Sequence, residues 1–396
     1  MSTDDILYHH ENDIYSEELD EDFKKLPYIY WLPKQHKDPP KSRFVVSGKF
    51  CSMKPLAKRI SKALKTIQKC IEFRRGFEHK FKKTSTFWVI NNSEKIHENL
   101  SELNKFHNAR SVHTFDFSTL YTTIPHDKLL ERMKIVAELA FKISKKSYLR
   151  VNKSNATWVE KLPKSSKLMY YTVNSLLDDI KHLLDNIYIA HGGKIFRQII
   201  GIPIGSDCSQ DLANLFLFSY EDEYIINLIN DGNEDADLLG NAHRYIDDLL
   251  TLNDLGYMDR VFTDIYPVEM TLNKTNVSEN SATFLDLNIE IKNNKFITSI
   301  YDKRNDFSFK VISLPHFTTN VPDNSLFGIF TSQLYRMYRA NSTLEGFYES
   351  VNVLIQKLNK QGFSKNTLFH KLQKFIAVNF LGITFKYWEV IDLSLF

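Results

Sequence analysis

The sequence predicts an α+β fold: an antiparallel sheet backed by helices. Three observations carry that expectation. Two acids, Asp247 and Asp248, interrupt an apolar stretch from Tyr245 to Leu252, as at a tight turn between two strands. A third acid, Asp116, lies inside the β-favouring run Val112-His113-Thr114-Phe115-Asp116-Phe117. Around these acids apolar residues recur at helical spacing, so that strand, helix, hairpin, helix and acidic hairpin follow one another.

In chain order, residues 1–23 hold nine acids and no Lys or Arg, and such a start is expected to be mobile. Leu26 to Lys37 has strand composition between prolines, Asp38-Pro39-Pro40-Lys41 reads as a turn, and Arg43 to Gly48 is a second strand. Lys34, Lys37 and Arg43 on this hairpin suit a triphosphate or a template backbone. From Pro55 a helix puts Leu56, Ile60, Leu64, Ile67 and Ile71 on one face, with Lys58, Arg59, Lys62, Lys65 and Lys69 around the rest. The apolar stripe is core, and the basic face would track phosphates without reading sequence.

After Asp116, Thr119 to Ile124 leads to Pro125, a favoured first helical residue, and Leu129, Leu130, Met133 and Val136 continue the helix. Residues 144–168 are polar and lysine-rich and read as a loop or insertion. Leu176 to Leu184 reads as a helix. Ile187 to Ile200 reads as a hairpin turning at His191-Gly192-Gly193-Lys194. Gly201 to Ser206 reads as a turn that brings backbone close to something, and a helix follows from Ser209. Residues 324–396 look helical, with Leu334, Met337, Tyr338, Phe347, Val351, Leu354, Ile355 and Leu358 at core spacing. Arg336, Arg339, Lys357, Lys360, Lys371 and Lys374 there suit a duplex minor groove.

The chain has 396 residues, 43% hydrophobic and 13% aromatic with 29 Phe, which marks a globular protein and excludes disorder. Its three cysteines, Cys51, Cys70 and Cys208, show neither metal-ligand spacing nor a disulfide framework, so an intracellular, reducing compartment is expected. No signal peptide and no apolar run of roughly 18 residues is present, so neither secretion nor membrane spanning is indicated. The net charge of +3 hides an asymmetry: residues 24–83 carry 18 Lys or Arg against three acids. A basic block on an otherwise near-neutral chain is the footprint of a polyanion site, although a solvated face would look alike.

The acids set the chemistry. Adjacent carboxylates repel, and burying them uncompensated is costly. A divalent cation resolves that cost, and Mg²⁺ typically takes one or two carboxylates plus substrate phosphates. Taken alone, Asp247-Asp248 reads better as a solvated turn, and Asp116 as a buried acid paired to a lysine or capping the next helix. If Asp116 and Asp247 end neighbouring strands, they can hold two metals roughly 4 Å apart for in-line displacement at phosphorus. That is polymerase or nuclease chemistry.

These residues also carry a family resemblance. Phe115-Asp116-Phe117-Ser118-Thr119-Leu120-Tyr121-Thr122-Thr123-Ile124-Pro125 resembles the first carboxylate motif of reverse transcriptases. Gly201 to Ser206 with Leu212-Ala213-Asn214-Leu215 resembles the motif that faces nucleotide and template, and Tyr245-Ile246-Asp247-Asp248 the second carboxylate motif. Phe284-Leu285-Asp286-Leu287 follows at family spacing. Leu32-Pro33-Lys34-Gln35-His36-Lys37 with Arg43, and Gly328 to Arg336, resemble Penelope-like retroelements, relatives of telomerase reverse transcriptase. The resemblance spans about residues 26–340.

It implies a right-hand polymerase with fingers, palm and helical thumb: an acidic segment over 1–23, fingers and palm over 24–310, and a thumb-like region over 311–396. It implies RNA-directed DNA synthesis on two Mg²⁺ ions, with Mn²⁺ as a substitute. The partners would be an RNA template, a DNA primer and deoxynucleoside triphosphates. Asp116, Asp247 and Asp248 would be the acidic triad, with the Phe117 carbonyl as a further metal ligand. Lys34 and Arg43 would meet the triphosphate, Gly205 and Tyr121 the nucleotide, and Tyr121 would select the sugar. Lys37, Lys58, Arg59, Lys62 and Lys65 would contact nucleic acid. Lys274, at the next motif, would protonate leaving pyrophosphate, although a surface lysine reads equally well there. Arg244 would pair with Asp247 or a phosphate, or stand as a plain surface arginine.

Three departures stand out. Ile204 replaces a Gln common in reverse transcriptases, Asp207 and Gln210 replace residues often Pro, and no GIY-YIG endonuclease precedes Phe396. Target cutting would therefore need a separate endonuclease. Two other readings compete. One is a catalytically idle, domesticated relative that binds RNA or RNA–DNA hybrid, which need not keep three costly acids. The other is an unrelated two-metal nuclease or phosphatase, which leaves the basic block and helical tail unexplained.

Overall fold

The computed structural model describes residues 2–13, 25–34, 41–82, 84–106, 108–163, 168–309 and 311–379. Lys37, the turn through Asp38-Pro39-Pro40, and the last 17 residues lie outside them. The chain divides into two compact units. The first comprises Met1–Asn91 and His113–Thr275, and the second Asn92–Val112 and Asn276–Phe396. The domain boundary expected at 310/311 therefore falls inside the second unit.

The first unit opens with helix α1 (Thr3–Asp13), part of the segment expected to be mobile. Ile6 and His10 are buried, and His10 Nδ1 lies 2.7 Å from Ser52 Oγ, so this stretch of the acidic segment is packed down. Strands β1 (Tyr28–Lys34) and β2 (Lys41–Ser47) pair antiparallel, from Tyr28 opposite Ser47 to Lys34 opposite Lys41. Helix α2 (Lys54–Lys82) follows. In the second unit α3 spans Glu94–Lys105. The first unit resumes with β3 (Val112–Ser118), the single turn α4 (Leu120–Thr123) and α5 (His126–Ser144).

Within residues 144–168, where a loop or insertion was expected, β4 (Tyr148–Val151) and β5 (Ala156–Val159) form, and β6 (Met169–Tyr171) follows directly, in the order β5-β4-β6. Each is at most four residues long, too short for alternation to stand out from the surrounding lysines. Leu149 and Val151 nevertheless face the core on alternate positions. Helix α6 (Val173–Asp185), the hairpin β7 (Tyr188–His191) and β8 (Lys194–Arg197), and helix α7 (Ser209–Asn230) come next. Gly192 and Gly193 both take positive φ, the pairing a two-residue hairpin turn needs. β9 (Ala242–Tyr245), β10 (Asp248–Leu252), α8 (Tyr257–Ile265) and β11 (Thr271–Lys274) complete the unit.

Two four-stranded sheets result, ordered β2-β1-β7-β8 and β11-β3-β10-β9. The second is the antiparallel sheet backed by helices that the sequence predicts. Phe115, Phe117, Leu249 and Leu272 from its strands join one core with Ile60, Leu64 and Ile67 of α2, Leu129 and Met133 of α5, and most of α7. From Asp211 to Ser219 every residue of α7 is buried, as suits a helix apolar all round.

The second unit adds a hairpin sheet of β12 (Ser281–Phe284), β13 (Leu287–Lys292) and β14 (Lys295–Ile300) to helices α9 (Asp323–Ala340), α10 (Leu344–Asn359) and α11 (Lys365–Asn379). Leu326, Phe330, Leu334, Phe347, Val351, Leu358 and Leu372 form its core. Of the core positions read in the sequence, Tyr338 is instead 39% exposed, and the others are buried. Asn104 of α3 gives its amide to the Phe296 carbonyl at 2.8 Å and takes the Phe296 N–H at 2.7 Å. It thereby satisfies both backbone groups of Phe296 on the edge strand β14.

An ion cluster also stands in this unit. Asp302 accepts from Arg304 at 2.6 and 2.8 Å and from Lys357 of α10 at 3.2 Å. Burial raises the Asp302 carboxyl, but the Arg304 and Lys357 bonds outweigh it and bring it down to about 2. A carboxyl lowered on folding stabilises above its unfolded value of 3.8, and that contribution is lost as pH falls through about 2. Asp302→Asn should therefore be less stable than the parent chain at neutral pH. In urea unfolding the two should converge as pH is lowered toward about 2. A gap that stays constant with pH would show that the cluster contributes no charge-dependent stability.

Candidate active site

The centre of the site is the turn between β9 and β10. Asp248 pairs with Tyr245, leaving Ile246 and Asp247 as a two-residue turn. Ile246 takes φ +57, a left-handed conformation that costs a β-branched residue about 1–3 kcal/mol. The Phe117 N–H donates to the Asp247 carbonyl at 2.9 Å, so β3 lies directly beside the turn. Asp116, two residues before the end of β3, is therefore on the strand beside the turn that carries Asp247. Phe115, Phe117 and Leu249 point into the helix-backed core. By strand alternation Asp116 and Asp248 leave the sheet on the other face. Asp116, Asp247 and Asp248 are all half-buried.

Beneath the turn lies Arg244, fully buried, where the sequence suggested a partner of Asp247 or a surface arginine. Its Nε and Nη2 hold both oxygens of Glu221 at 2.6 and 3.1 Å. Nη1 donates to the Asn214 side chain at 3.1 Å and to the Ile246 carbonyl at 3.0 Å, and Nη2 to the Asn214 carbonyl at 3.0 Å. All five guanidinium donors are thereby used. Tyr266 adds its hydroxyl to Glu221 at 2.9 Å, and burial together with the Glu221 charge holds that phenol well above its ordinary range. The backbone of Arg244 is fixed too, donating to Trp88 at 2.7 Å and accepting from Ile90 at 2.9 Å.

Tyr121 faces the turn from the other side. Thr119 takes φ +59, which breaks β3 and starts α4. Burial raises the Tyr121 phenol, Asp247 and Asp211 raise it further and Arg43 opposes them, leaving it at about 12. The ring is thus neutral, with two carboxylates and the Arg43 guanidinium in its electrostatic reach. The turn Gly201 to Ser206 packs between this tyrosine and β2. Gly201 N–H donates to Ile124 at 2.8 Å and Ile202 N–H to Tyr121 at 2.7 Å, while Val46 N–H donates to Ile204 at 2.9 Å. Gly201 takes φ +75, and a Cβ there would stand 2.5 Å from the Tyr121 carbonyl oxygen. Gly205 takes φ +115, and a Cβ there would run into the Val46 carbonyl. The close approach expected at these glycines is to the chain's own backbone.

The other expected residues divide. Lys34, Lys41 and Arg43 share one face of the β1–β2 hairpin, the face that also carries Tyr30 and Leu32. Lys58 and Lys65 are exposed on α2, and Lys62 donates to the Asn152 carbonyl at 3.2 Å. Arg59 is a correction. It is buried, donating to Tyr171 at 2.8 Å and Asp179 at 3.0 Å, and ties α2 to β6 and α6 instead of meeting nucleic acid. Lys274 pairs with Asp259 of α8 at 2.7 Å. It stands opposite Phe115, on the sheet face away from Asp116, where a proton donor to the acids' substrate is not wanted. Asp207 forms an ion pair with Lys54 at 3.8 Å, and α7 begins at Ser209 as expected without the prolines.

Sequence reasoning missed Glu221, Asn214, Tyr266 and Asp211. Asn214 and Glu221 are polar residues seven apart on one face of α7, and that spacing was the available signal. Asp211 is buried in the first turn of α7, held by Ser61 of α2 at 2.6 Å. Burial raises its carboxyl.

Among the described residues no group of three or more His, Cys, Asp or Glu side chains is placed to hold a metal ion. Asp116 and Asp247, on segments joined by the bond from the Phe117 N–H to the Asp247 carbonyl, are still a donor set of the kind Mg²⁺ accepts, since that ion takes one or two carboxylates and keeps waters and phosphates. Among the described residues no helix is long and apolar enough to cross a membrane.

No protein-family model matches the chain, and no curated protein matches it in sequence. Solved structures do. Telomerase from Candida albicans, solved with a fragment of telomeric RNA, superposes with a TM-score of 0.58 at 13% identity, over 95% of this chain and 61% of that one. Apo telomerase from Candida tropicalis superposes with a TM-score of 0.50 at 13% identity, over 93% and 62%. The chain thus spans about three fifths of the telomerase chains it matches. At these identities the likeness shows the fold, that of a telomerase-like nucleic-acid polymerase.

Removing Arg244 should expose how much the site depends on it. Arg244→Met leaves the Glu221 carboxylate buried without its partner, a loss of about 3–5 kcal/mol. Urea unfolding should show that loss, and adding Glu221→Gln should recover part of it. If Arg244→Met unfolds at the parent midpoint, the network is not what holds the turn.

Proposed function

We propose that this chain is a reverse transcriptase, an RNA-directed DNA polymerase that extends a DNA primer on an RNA template. One observation supports the reading: Asp116, on β3, stands on the strand hydrogen-bonded to the turn that carries Asp247, in a fold shared with telomerase. Asp116 and Asp247 would hold Mg²⁺, or Mn²⁺ in its place, with the Phe117 carbonyl and Asp248 beside them. The bound ions would stabilise charge on the attacking and leaving oxygens of an in-line displacement. The residues of the chain do the rest. Lys34 and Arg43 receive the triphosphate of the incoming deoxynucleotide. Tyr121 floors the sugar pocket, and Gly201 and Gly205 let that floor lie against β2. The Penelope-like character of residues 32–37 and 328–336 supports a retroelement origin.

Primer extension on RNA and DNA templates tests the reading. Asp116→Ala and Asp247→Ala should each abolish nucleotide incorporation while hybrid binding is largely kept, because a carboxylate is lost and the phosphate contacts are not. Incorporation retained in both variants would remove the acids from catalysis, and cleavage in place of extension would point to a nuclease.

Tyr121 should decide between sugars. Its neutral ring against C2′ leaves no acceptor for a ribose hydroxyl, and the combined overpacking and lost hydration cost about 1–3 kcal/mol. About 1.4 kcal/mol is tenfold in rate. Tyr121→Ala should therefore raise ribonucleotide use relative to deoxyribonucleotide use by about tenfold or more, and Tyr121→Phe should change it little. Equal loss with both sugars in single-nucleotide kinetics would make Tyr121 a structural residue.

A further inference from the structure

One partner of the Gly201–Ser206 turn stands outside the chemistry of the acids. His126 opens α5 and is half-buried, and its Nε2 lies 2.7 Å from the Gly201 carbonyl oxygen. A carbonyl can only accept, so this ring nitrogen carries the hydrogen and donates it. The Gly201 carbonyl and the Ile202 N–H belong to one planar peptide group. The other end of that group is also bonded, with Ile202 N–H donating to the Tyr121 carbonyl at 2.7 Å. Gly201 N–H donates to Ile124 at 2.8 Å. Residues 121–126 thus hold one peptide of the turn at both ends and the preceding one at its N–H.

The peptide needs holding because a glycine stands before it. Gly201 takes φ +75, and a Cβ there would run into the Tyr121 carbonyl oxygen, so only glycine fits. Glycine is also the residue with the freest backbone, and a peptide beside it turns over at low steric cost. Turned over, the Gly201 oxygen would point at the Tyr121 oxygen, two acceptors face to face, and both bonds of the peptide would be lost. Tyr121 itself lies on α4, a single turn between the left-handed Thr119 and the extended Ile124. One turn of helix does not hold its own shape. The Tyr121 backbone is therefore placed by the peptide that donates to it.

We propose that His126 is a positioning residue: it locks the Gly201–Ile202 peptide and, through it, the backbone of Tyr121. The imidazole does this from the start of a 19-residue helix whose Leu129 and Met133 are anchored in the core. A glycine turn is thereby tied to a rigid element by a side chain. The kinetic consequence rests on the reverse transcriptase reading, since it needs a nucleotide beside Tyr121. The lock itself does not.

Three variants of the full chain test it. His126→Leu removes the donor and keeps apolar bulk. His126→Gln keeps a donor, because its amide nitrogen stands as many bonds from Cα as imidazole Nε2. His126→Asn carries the same amide one bond too short, and takes the place of the leucine variant if that one does not fold. Hydrogen exchange of the segment 201–206, followed by mass spectrometry, reads the lock directly. His126→Leu and His126→Asn should speed it about tenfold, the worth of one ordinary hydrogen bond, and His126→Gln should keep the parent rate. In single-nucleotide primer extension the same two variants should raise KM for a deoxynucleotide about tenfold with little change in kcat, and His126→Gln should restore it. Parent exchange in the leucine and asparagine variants overturns the proposal, as does equal acceleration in all three, which would make the imidazole a packing group. Faster exchange with an unchanged KM would show that the lock does not reach Tyr121, and also overturns it. A parent chain that extends no primer removes the catalytic reading alone, because exchange still decides whether His126 holds the turn.

Discussion

The pairing of Arg244 with Glu221 is the constraint on which the acidic turn depends. Two full charges are removed from water, and such a pair holds only where every remaining donor and lone pair is met. Here the guanidinium spends all five N–H groups: two on Glu221, two on Asn214 and one on the Ile246 carbonyl. The last bond matters most for the site. It ties the strained residue of the turn to the most buried helix of the unit, and so fixes where Asp247 projects. A lysine could not replace it, having three donors and no planar fork. The cost of Ile246 at positive φ is carried by a network that the turn itself does not contain.

The second constraint is backbone thickness. Tyr121 and β2 are held apart by the Gly201–Ser206 turn, which is hydrogen-bonded on both sides. Side chains at Gly201 or Gly205 would push these elements away from one another. Burial holds the Tyr121 phenol neutral, with Asp247 and Asp211 adding to the shift and Arg43 opposing it. The floor of the pocket is thus set by two missing Cβ atoms as much as by the ring upon it.

Charge on this chain has two uses that composition merges. The basic block of residues 24–83 looks uniform as a sequence, yet Arg59 and Arg75 are structural ions between helices. Lys58, Lys65 and Lys69 are exposed. Arginine serves the buried posts, where its fork can be satisfied, and lysine the solvent face, where a flexible point charge loses nothing. In the second unit the same division recurs, with Arg304 locked on Asp302 and Lys292 exposed beside Glu290.

Sequence alone determined the acidic turn, the run into Asp116, the long helix after Pro55 and the helical tail. Each is a local pattern whose period or turn chemistry is written in neighbouring residues. It also placed Asp116 and Asp247 as a pair, through motif resemblance and the cost of isolated buried carboxylates. What it could not decide were the partners of charged groups. Arg59 and Lys274 looked like nucleic-acid and catalytic residues because a cation's partner lies far along the chain, 120 residues away for Arg59 and 15 for Lys274. Strands of three or four residues, such as β4 to β6, carry too few alternations to be seen. Tertiary structure alone decided that Arg244 is buried, that Gly205 meets Val46, and which lysines of α2 face water. The physical reason is common to all three: burial and ion pairing depend on which distant segments share a contact, and no local pattern records that.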